Sequence, residues 1–237
     1  MRATVVTWNL QGRDGLDAPA VAGVLRDLGA DIACLQEIQR RQARRLRGAC
    51  RVAHARWSFK HWPIGHRPAE GHAVLGASRL HVEPYRLSDG ERLWSHQRRI
   101  AQIARAGALD GLVLVNTHLG SGRIAHARTA QMQRLLARVK PDIVVGDLNE
   151  SRGGALDALR AAGMRDAWHD VHGDEPCLTN WSSDDRDRPP DQRLDWVWVS
   201  SAVRVIDARV GDWRVTAPLS DHVPLAVTVE LADRTQT

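Results

Sequence analysis

Residues 141–150 read PDIVVGDLNE, in which the apolar run IVVG is followed directly by Asp147 and then Asn149. A short apolar run bounded by polar residues is typical of a buried strand. Three other apolar runs also end in an amide, carboxylate or imidazole side chain, namely TVVTW before Asn9, IACLQ before Glu37 and LVLVNT before His118. Polar groups that follow strands of one sheet face a common crevice, so these runs predict a shared site.

Two later segments extend this pattern. Asp195 opens the apolar segment DWVWV, and Asp221 and His222 lie just before the last apolar strand, at 223–231. An imidazole needs a carboxylate to fix its tautomer, and Asp195 is the natural partner for His222. Turn chemistry alone would not build these strand ends only from Asn, Glu, His and Asp.

Apolar residues recur at helical spacing between the strands, which indicates a layered domain of sheets and helices. We predict helices over 21–28, 39–47, 124–139 and 155–162. We predict strands over 4–8, 31–36, 73–78, 100–106, 112–117, 142–146, 194–199 and 203–210. The polar, proline-containing segments 54–70 and 180–193 are predicted to be long loops, which in a compact domain are often functional.

Length and composition exclude several classes of protein. The 237 residues, with 43% hydrophobic and 26% charged side chains, fit one globular domain over 1–237. No apolar run is long enough to span a membrane, and the first residues lack the features of a signal peptide. Three cysteines without metal-binding spacing argue against a disulfide scaffold or a cysteine-rich zinc fold. We therefore expect a cytoplasmic monomer.

The charge balance favours an anionic partner. Lys and Arg total 33 against 28 Asp and Glu, and nearly all the basic residues are arginine, whose planar fork suits phosphate. The isoelectric point is about 9.8. A GC-rich genome would also enrich arginine, so this excess alone does not identify the substrate.

The residue types at the strand ends indicate metal-assisted chemistry on a phosphate ester. Asn9, Glu37 and Asp221 offer oxygen ligands without thiolates, which suits Mg²⁺, with Mn²⁺ or Ca²⁺ as alternatives. Asp147 and Asn149 are two residues apart and would project to the same side of an extended chain. In that position the carboxylate takes a proton from water while the neutral amide holds an oxygen.

Six motifs carry a resemblance to a known family. In chain order they are TWNLQG at 7–12, LQE at 35–37, NTHL at 116–119, GDLN at 146–149, RLDW at 193–196 and SDHVPL at 220–225. Together they resemble the successive motifs of the endonuclease/exonuclease/phosphatase superfamily, which includes DNase I and the exonuclease III type of abasic-site endonuclease. The resemblance implies a four-layer α/β sandwich, with two central mixed β-sheets flanked by helices.

The resemblance also implies roles for the strand-end residues. Glu37 would be the main metal ligand, with Asn9 beside it and Asp221 contributing directly or through water. Asp147 would orient or deprotonate the attacking water, and Asn149 would hold that water or the phosphate. Hydrogen bonds to the phosphoryl oxygens would come from two histidines, His222 held by Asp195 and His118 on the opposite side.

Further residues are candidates for contact with the substrate, namely His72, Arg98, Arg99, Trp181 and Trp196. The alternative is packing or loop anchoring for the two tryptophans and an exposed face for the two arginines. Many relatives carry Asn at the position of His72, and often an Arg where Arg98 and Arg99 stand. In the DNase I branch a glutamate on the preceding strand supports the histidine that corresponds to His118. Glu70 is the candidate for that place here, although EGHA at 70–73 departs from the pattern.

These observations predict a divalent-metal-dependent phosphodiesterase or nuclease that hydrolyses DNA or RNA by in-line attack of an activated water. One alternative is a phosphoesterase that acts on a small or lipid-like phosphate ester. A second is a nucleic-acid binder that has kept the fold without activity. Activity on polymers, activity on small esters and binding without turnover distinguish the three hypotheses.

Overall fold

A computed structural model describes residues 2–12, 15–63, 65, 68–88, 93, 95 and 97–231. Its strands are β1 (Arg2–Asn9), β2 (Ile32–Ile38), β3 (His54–His61), β4 (Glu70–Gly76), β5 (Leu80–Arg86), β6 (Ile100–Ala106), β7 (Val113–His118), β8 (Ile143–Asp147), β9 (Arg165–Asp166), β10 (Asp195–Val199), β11 (Val203–Val210) and β12 (Leu225–Leu231). Its α-helices are α1 (Ala18–Asp27), α2 (Arg40–Ala49), α3 (Arg128–Arg138), α4 (Gly154–Ala161), α5 (Ala167–His172) and α6 (Trp213–Thr216).

The strands form two six-stranded sheets. The first has the order β11-β12-β1-β2-β4-β3 and the second the order β5-β6-β7-β8-β10-β9. In each sheet one central pair is parallel, β1 with β2 and β7 with β8, and the other pairs are antiparallel. Both sheets are therefore mixed, as the resemblance implies.

Three apolar layers hold the sheets and helices together. Between the sheets, Val5 and Ile32 of the first pack in one cluster with Leu114 and Val145 of the second. On the outer face of the first sheet, β1 and β2 pack against α1 and α2. On the outer face of the second, β7, β8 and β10 pack against α3 and α4. The four-layer α/β sandwich is thus confirmed.

Strand register brings the polar strand ends together. Asn9 pairs with Gln36 across the parallel pair β1–β2, which places Glu37 next to the end of β1. His118 pairs with Asp147 across β7–β8, and Asp147 pairs with Asp195 across the antiparallel pair β8–β10. Because β12 runs antiparallel to β1, the residues that precede it lie near Asn9.

The structure corrects one of the predicted loops. Residues 54–61 of the segment predicted as a loop at 54–70 form β3, at the edge of the first sheet, while 64, 66 and 67 lie outside the described residues. The segment 180–193 contains no strand or helix apart from isolated bridges at Asn180. Nowhere in the described ranges does a helix combine the length and apolar character needed to cross a bilayer.

Candidate active site

Asp147 lies at the centre of the candidate site. Its Oδ2 atom accepts a hydrogen bond from Asn9 Nδ2 at 3.0 Å, and it lies 3.5 Å from His118 Nε2 and 3.7 Å from His222 Nε2. Its Oδ1 atom accepts the backbone N–H of Asn149 at 2.9 Å. Residues from the ends of β1, β7 and β8 and from the loop before β12 therefore meet at one carboxylate.

The pair His222–Asp195 is held from both sides. His222 Nδ1 donates to Asp195 Oδ2 at 2.7 Å, and the Asp195 side chain is fully buried. The hydroxyl of Thr179 accepts the backbone N–H of Asp195 at 3.1 Å. The hydroxyl of Ser220 accepts the backbone N–H of His222 and donates to the backbone carbonyl of Asn9. Thr179 and Ser220 thus fix the site, and of the two only Ser220 belongs to one of the six motifs.

A local break in β2 positions Glu37. The register between β2 and β4 shifts between Leu35 and Ile38, and Glu37 has a left-handed backbone with a φ of 50°. Such a bulge leaves one residue unpaired and re-aims its side chain. Glu37 Oε1 lies 3.8 Å from His118 Nδ1, which has no hydrogen-bond partner among the described residues. The strain is located at the residue expected to bind metal, as is common at functional sites.

The carboxylates raise one another's pKa. Burial, followed by the charge of Glu70, raises the pKa of Glu37 to about 7, although Lys60 acts in the opposite direction. Burial also raises the pKa of Asp147 to about 6, with His222 lowering it and Asp195 raising it. Asp221 adds to the repulsion at Glu37. Asp147 is buried and Glu37 is about three-quarters buried, with 24% of its side chain exposed, and a cluster of acids that repel one another is the environment that a bound cation stabilises.

The pKa values of the two histidines shift in opposite directions. Burial lowers the pKa of His222, but the charges of Asp195 and Asp147 outweigh it and bring the value to about 10. Burial, followed by the charges of Arg99 and Lys60, lowers the pKa of His118 well below its ordinary value. At neutral pH this arrangement favours a protonated imidazole at His222 and a neutral imidazole at His118.

The donor set fits a hard divalent cation held partly by water. Within the described ranges, no three His, Cys, Asp or Glu side chains are arranged as a metal-binding group. The predicted ligands are instead one amide, Asn9, and two carboxylates, Glu37 and Asp221. Mg²⁺ commonly binds through one or two carboxylates and keeps several of its waters. This chemistry fits Mg²⁺ better than structural zinc, which takes four protein ligands.

Asn149 reaches the site in a different way from the one predicted. β8 ends at Asp147, and Asn149 has a left-handed backbone with a φ of 52°, so the two residues do not share an extended strand. The hydrogen bond from the Asn149 backbone to Asp147 holds them together instead. The Asn149 amide donates to the carbonyl of Leu119 at 3.2 Å.

His72, Arg99 and Arg98 lie on the side of the site nearest His118. The ring of His72 is fully buried 6.2 Å from that of His118, and neither of its nitrogens has a hydrogen-bond partner among the described residues. Arg99 is buried, and its Nε atom donates to the carbonyl of Leu119 at 2.8 Å. Arg98 donates to the backbone of Lys60. Contact of these three residues with a substrate remains a prediction.

Trp181 and Trp196, the two aromatic candidates for contact with the substrate, are both buried against other parts of the chain. The ring of Trp196 is covered by the guanidinium of Arg193 at 3.6 Å and stacks on Trp198 at 5.7 Å. Trp181 is buried in an apolar cluster and donates to the carbonyl of Arg188 at 2.6 Å. Both rings pack against neighbouring side chains, and Trp181 also anchors the loop at 180–193.

The predicted contact through which Glu70 would support His118 is wrong. Glu70 accepts a hydrogen bond from the buried ammonium group of Lys60 at 2.5 Å and lies 3.8 Å from His61. Burial lowers the pKa of Lys60, and the charge of Glu70 opposes that shift. This buried ion pair was not predicted, because neither residue belongs to one of the six motifs.

Comparisons with known proteins identify the family and fold of this chain. Residues 6–222 match the Endonuclease/Exonuclease/phosphatase family. A protein of that description from Beutenbergia cavernae has a similar structure, with 20% identity, a TM-score of 0.77 and coverage of 98% of this chain and 72% of that one. The human nocturnin catalytic domain with a bound sulfate anion has 21% identity, a TM-score of 0.71 and coverage of 98% and 94%.

A third similar structure is a mannosyl-6-phosphatase from Bacteroides thetaiotaomicron, with 18% identity, a TM-score of 0.69 and coverage of 97% of this chain and 99% of that one. A search of curated proteins found no match to this chain. Since the family match spans most of its length, the chain belongs to the Endonuclease/Exonuclease/phosphatase family.

Proposed function

We propose that this protein is a divalent-metal-dependent phosphodiesterase that hydrolyses DNA or RNA by in-line attack of water. The observation that carries the proposal is the position of Asp147 Oδ2, within 3.7 Å of one amide and two imidazole groups. A base, two hydrogen-bond donors and a neighbouring acidic ligand set are the groups that metal-assisted phosphate hydrolysis requires. Membership of the Endonuclease/Exonuclease/phosphatase family supports this reaction class.

Glu37, Asn9 and Asp221 would hold the cation. When bound, it would supply Lewis-acid polarisation of a phosphoryl oxygen and a lower pKa for water. Asp147 accepts the proton of the attacking water, and a pKa of about 6 makes it a better base than an ordinary aspartate. Its hydrogen bonds from Asn9 and the Asn149 backbone fix the direction of the carboxylate.

The histidines act on the phosphate. His222, kept protonated and oriented by Asp195, donates a proton or hydrogen bond to an oxygen of the phosphate as negative charge develops there. His118 remains neutral and donates one N–H from the other side of Asp147. The amide of Asn149 adds a neutral donor, which stabilises negative charge without the cost of another buried ion.

The choice of a nucleic-acid substrate rests on charge. An isoelectric point of about 9.8 and a large excess of arginine favour a polyanion. The alternative of a small phosphate ester is favoured by the similar structure of the mannosyl-6-phosphatase. The bound sulfate in the nocturnin structure fits either substrate, since sulfate resembles phosphate in shape and charge.

A substrate panel tests the proposal. Plasmid DNA, a single-stranded oligonucleotide, a chromogenic phosphodiester and a sugar phosphate are incubated with Mg²⁺ or Mn²⁺ and, separately, with EDTA. We expect metal-dependent cleavage of the nucleic acids, and a loss in Asp147→Asn of about 10²- to 10⁴-fold, the contribution typical of a general base. The matched control is Asp157→Asn, which removes an exposed carboxylate on α4 that pairs with Arg160.

Hydrolysis of only the sugar phosphate would favour the small-ester alternative. Salt-sensitive binding of DNA without turnover of any ester would favour the inactive binder. Activity that survives EDTA, or that Asp147→Asn and Asp157→Asn change equally, would contradict the proposed mechanism.

A further inference from the structure

A cavity of about 270 Å³ lies beside the candidate active site. It is formed by the segment that follows β1, the loop at 180–193 and the segment that precedes Ser220. Its lining residues are Gln11, Gly15, Leu16, Asp17, Arg186, Pro218 and Leu219. No role in the mechanism described above falls to any of them.

Arg186 is half-buried and bridges two walls of this cavity. Its Nη1 atom donates to the carbonyl of Ala217 at 3.1 Å, and its Nη2 atom donates to Gln11 Oε1 at 3.2 Å. Both acceptors are neutral, and within the described residues no carboxylate forms an ion pair with Arg186. These two neutral acceptors hold the guanidinium in place, and no ion pair from the described part of the chain compensates its positive charge.

Arg188, two residues further along the same loop, behaves differently. It is exposed, lies 3.6 Å from the carboxylate of Asp185 and donates to the hydroxyl of Ser183. Of these two arginines, Arg188 has an acidic partner outside the cavity, whereas the described partners of Arg186 are neutral groups. The contrast matters because an arginine already paired with a carboxylate gains less from a bound anion.

The cavity is joined to the metal-ligand side of the active site by direct hydrogen bonds. The backbone N–H of Gln11 donates to Asn9 Oδ1 at 3.1 Å, and Gln11 has a left-handed backbone with a φ of 44°. On the other wall, Leu219 directly precedes Ser220, whose hydroxyl donates to the carbonyl of Asn9 at 2.6 Å. The cavity is therefore only a short distance along the chain from Asn9 and Asp221.

We propose that Arg186 binds the phosphate that flanks the scissile phosphate of a nucleic-acid strand, a role that rests on the proposed function. A strand carries a negative charge at every nucleotide, so a scissile phosphate bound at the histidines beside Asp147 brings a second phosphate into the neighbourhood of the site. Asp17 also lines the cavity, but its Oδ1 atom caps α1 by accepting the N–H of Ala20. Arg186 supplies the charge-assisted hydrogen bonds that select a polyanion over an isolated ester.

The test measures binding separately from turnover. A fluorescent single-stranded thymidine oligonucleotide is titrated in EDTA with the wild-type chain, Arg186→Gln and the matched control Arg188→Gln, and anisotropy is recorded at several salt concentrations. We expect Arg186→Gln to weaken binding about tenfold, as for loss of one charge-assisted hydrogen bond. The slope of log K against log salt should fall by about 0.7, the value for one single-strand phosphate contact.

A neutral strand provides the second comparison. On the same sequence with uncharged methylphosphonate linkages, Arg186→Gln and the wild-type chain should bind equally. Equal binding of the charged strand by Arg186→Gln and Arg188→Gln, an equal loss on both strands, or no binding of the charged strand by the wild-type chain would overturn the assignment.

Turnover then separates the two proposals. If Arg186 governs binding but the wild-type chain does not cleave the strand with Mg²⁺ or Mn²⁺, the proposed function fails, and what stands is that Arg186 binds a phosphate of the strand. If the chain cleaves the strand and Arg186→Gln alters neither binding nor KM, the binding assignment fails and the proposed function stands.

Discussion

Individual side chains in the site have opposing electrostatic tasks. Asp147 must remain available as a base, whereas His222 must keep a proton to act as a donor. Asp195 separates these tasks, because it lies 2.7 Å from His222 Nδ1 and its charge helps to raise the pKa of that histidine to about 10. Pairs of titratable groups whose environments drive their pKa values apart are typical of acid and base assignments.

Replacing Asp195 with Asn tests whether Asp195 keeps His222 protonated. We expect kcat to fall about 100-fold, as when the carboxylate that orients a functional histidine is lost. The pKa of His222 should also fall from about 10 toward neutrality, so the ring loses its proton at a lower pH than in the wild-type chain. NMR titration of the histidine signals measures that shift, and thermal unfolding provides the control for stability. An unchanged His222 titration, or a loss of activity matched by a loss of stability, would contradict the assignment.

At the scale of the element, close packing of β7 against β8 positions the base. Gly146 precedes Asp147 with a φ of 141°, and a Cβ atom at this position would lie 1.8 Å from the carbonyl oxygen of Thr117. Thr117 in turn precedes His118. Only glycine allows the two strands to approach closely enough for His118 and Asp147 to pair.

Gly146→Ala should therefore destabilise the fold by about 3 kcal/mol, because it combines a steric clash with an unfavourable backbone conformation. The comparison is Gly163→Ala, where φ is also positive, at 78°, but nothing lies within 4 Å of the added Cβ. That change should cost about 1 kcal/mol. Urea denaturation measures both values. Equal costs for the two variants would show that the contact with Thr117 does not limit the strand spacing.

Secondary structure was most predictable where strands are buried on both faces. The apolar runs that become β1, β2, β7 and β8 are evident in the sequence, and each predicts a strand within a few residues of its observed bounds. β3 and β5 were missed because they are edge strands, in which polar residues alternate with apolar ones and the pattern resembles a loop. Edge strands commonly carry charged residues and proline, and β5 contains Pro84.

The candidate site was also predictable only in part. Motif order and strand ends indicated Asn9, Glu37 and Asp147 as neighbours, but local sequence does not encode the bulge that turns Glu37 inward. The ion pair of Lys60 with Glu70 joins two strands of the first sheet, and its partners follow from tertiary packing alone. The burial of Trp196 was not predictable, because the guanidinium that covers its ring comes from Arg193, in the loop beside it.

At the scale of the whole molecule, two mixed sheets deliver residues from distant parts of the chain to one place. Parallel pairs at the centre of each sheet place the carboxyl ends of β1 and β2, and of β7 and β8, at matching edges. The antiparallel neighbours β10 and β12 return to the same edge and bring Asp195, Asp221 and His222. The proposed cation site is therefore formed only by the completed fold.

Calorimetric titration of Mn²⁺ measures whether the folded chain binds a divalent cation. The wild-type chain should bind the ion at one site, and Glu37→Gln should weaken binding by more than about tenfold, because it removes the main charged ligand. Glu83→Gln is the matched control, since Glu83 is an exposed glutamate on β5 that pairs with Arg138. Binding that Glu37→Gln leaves at the wild-type level, or no binding by the wild-type chain, would contradict the account.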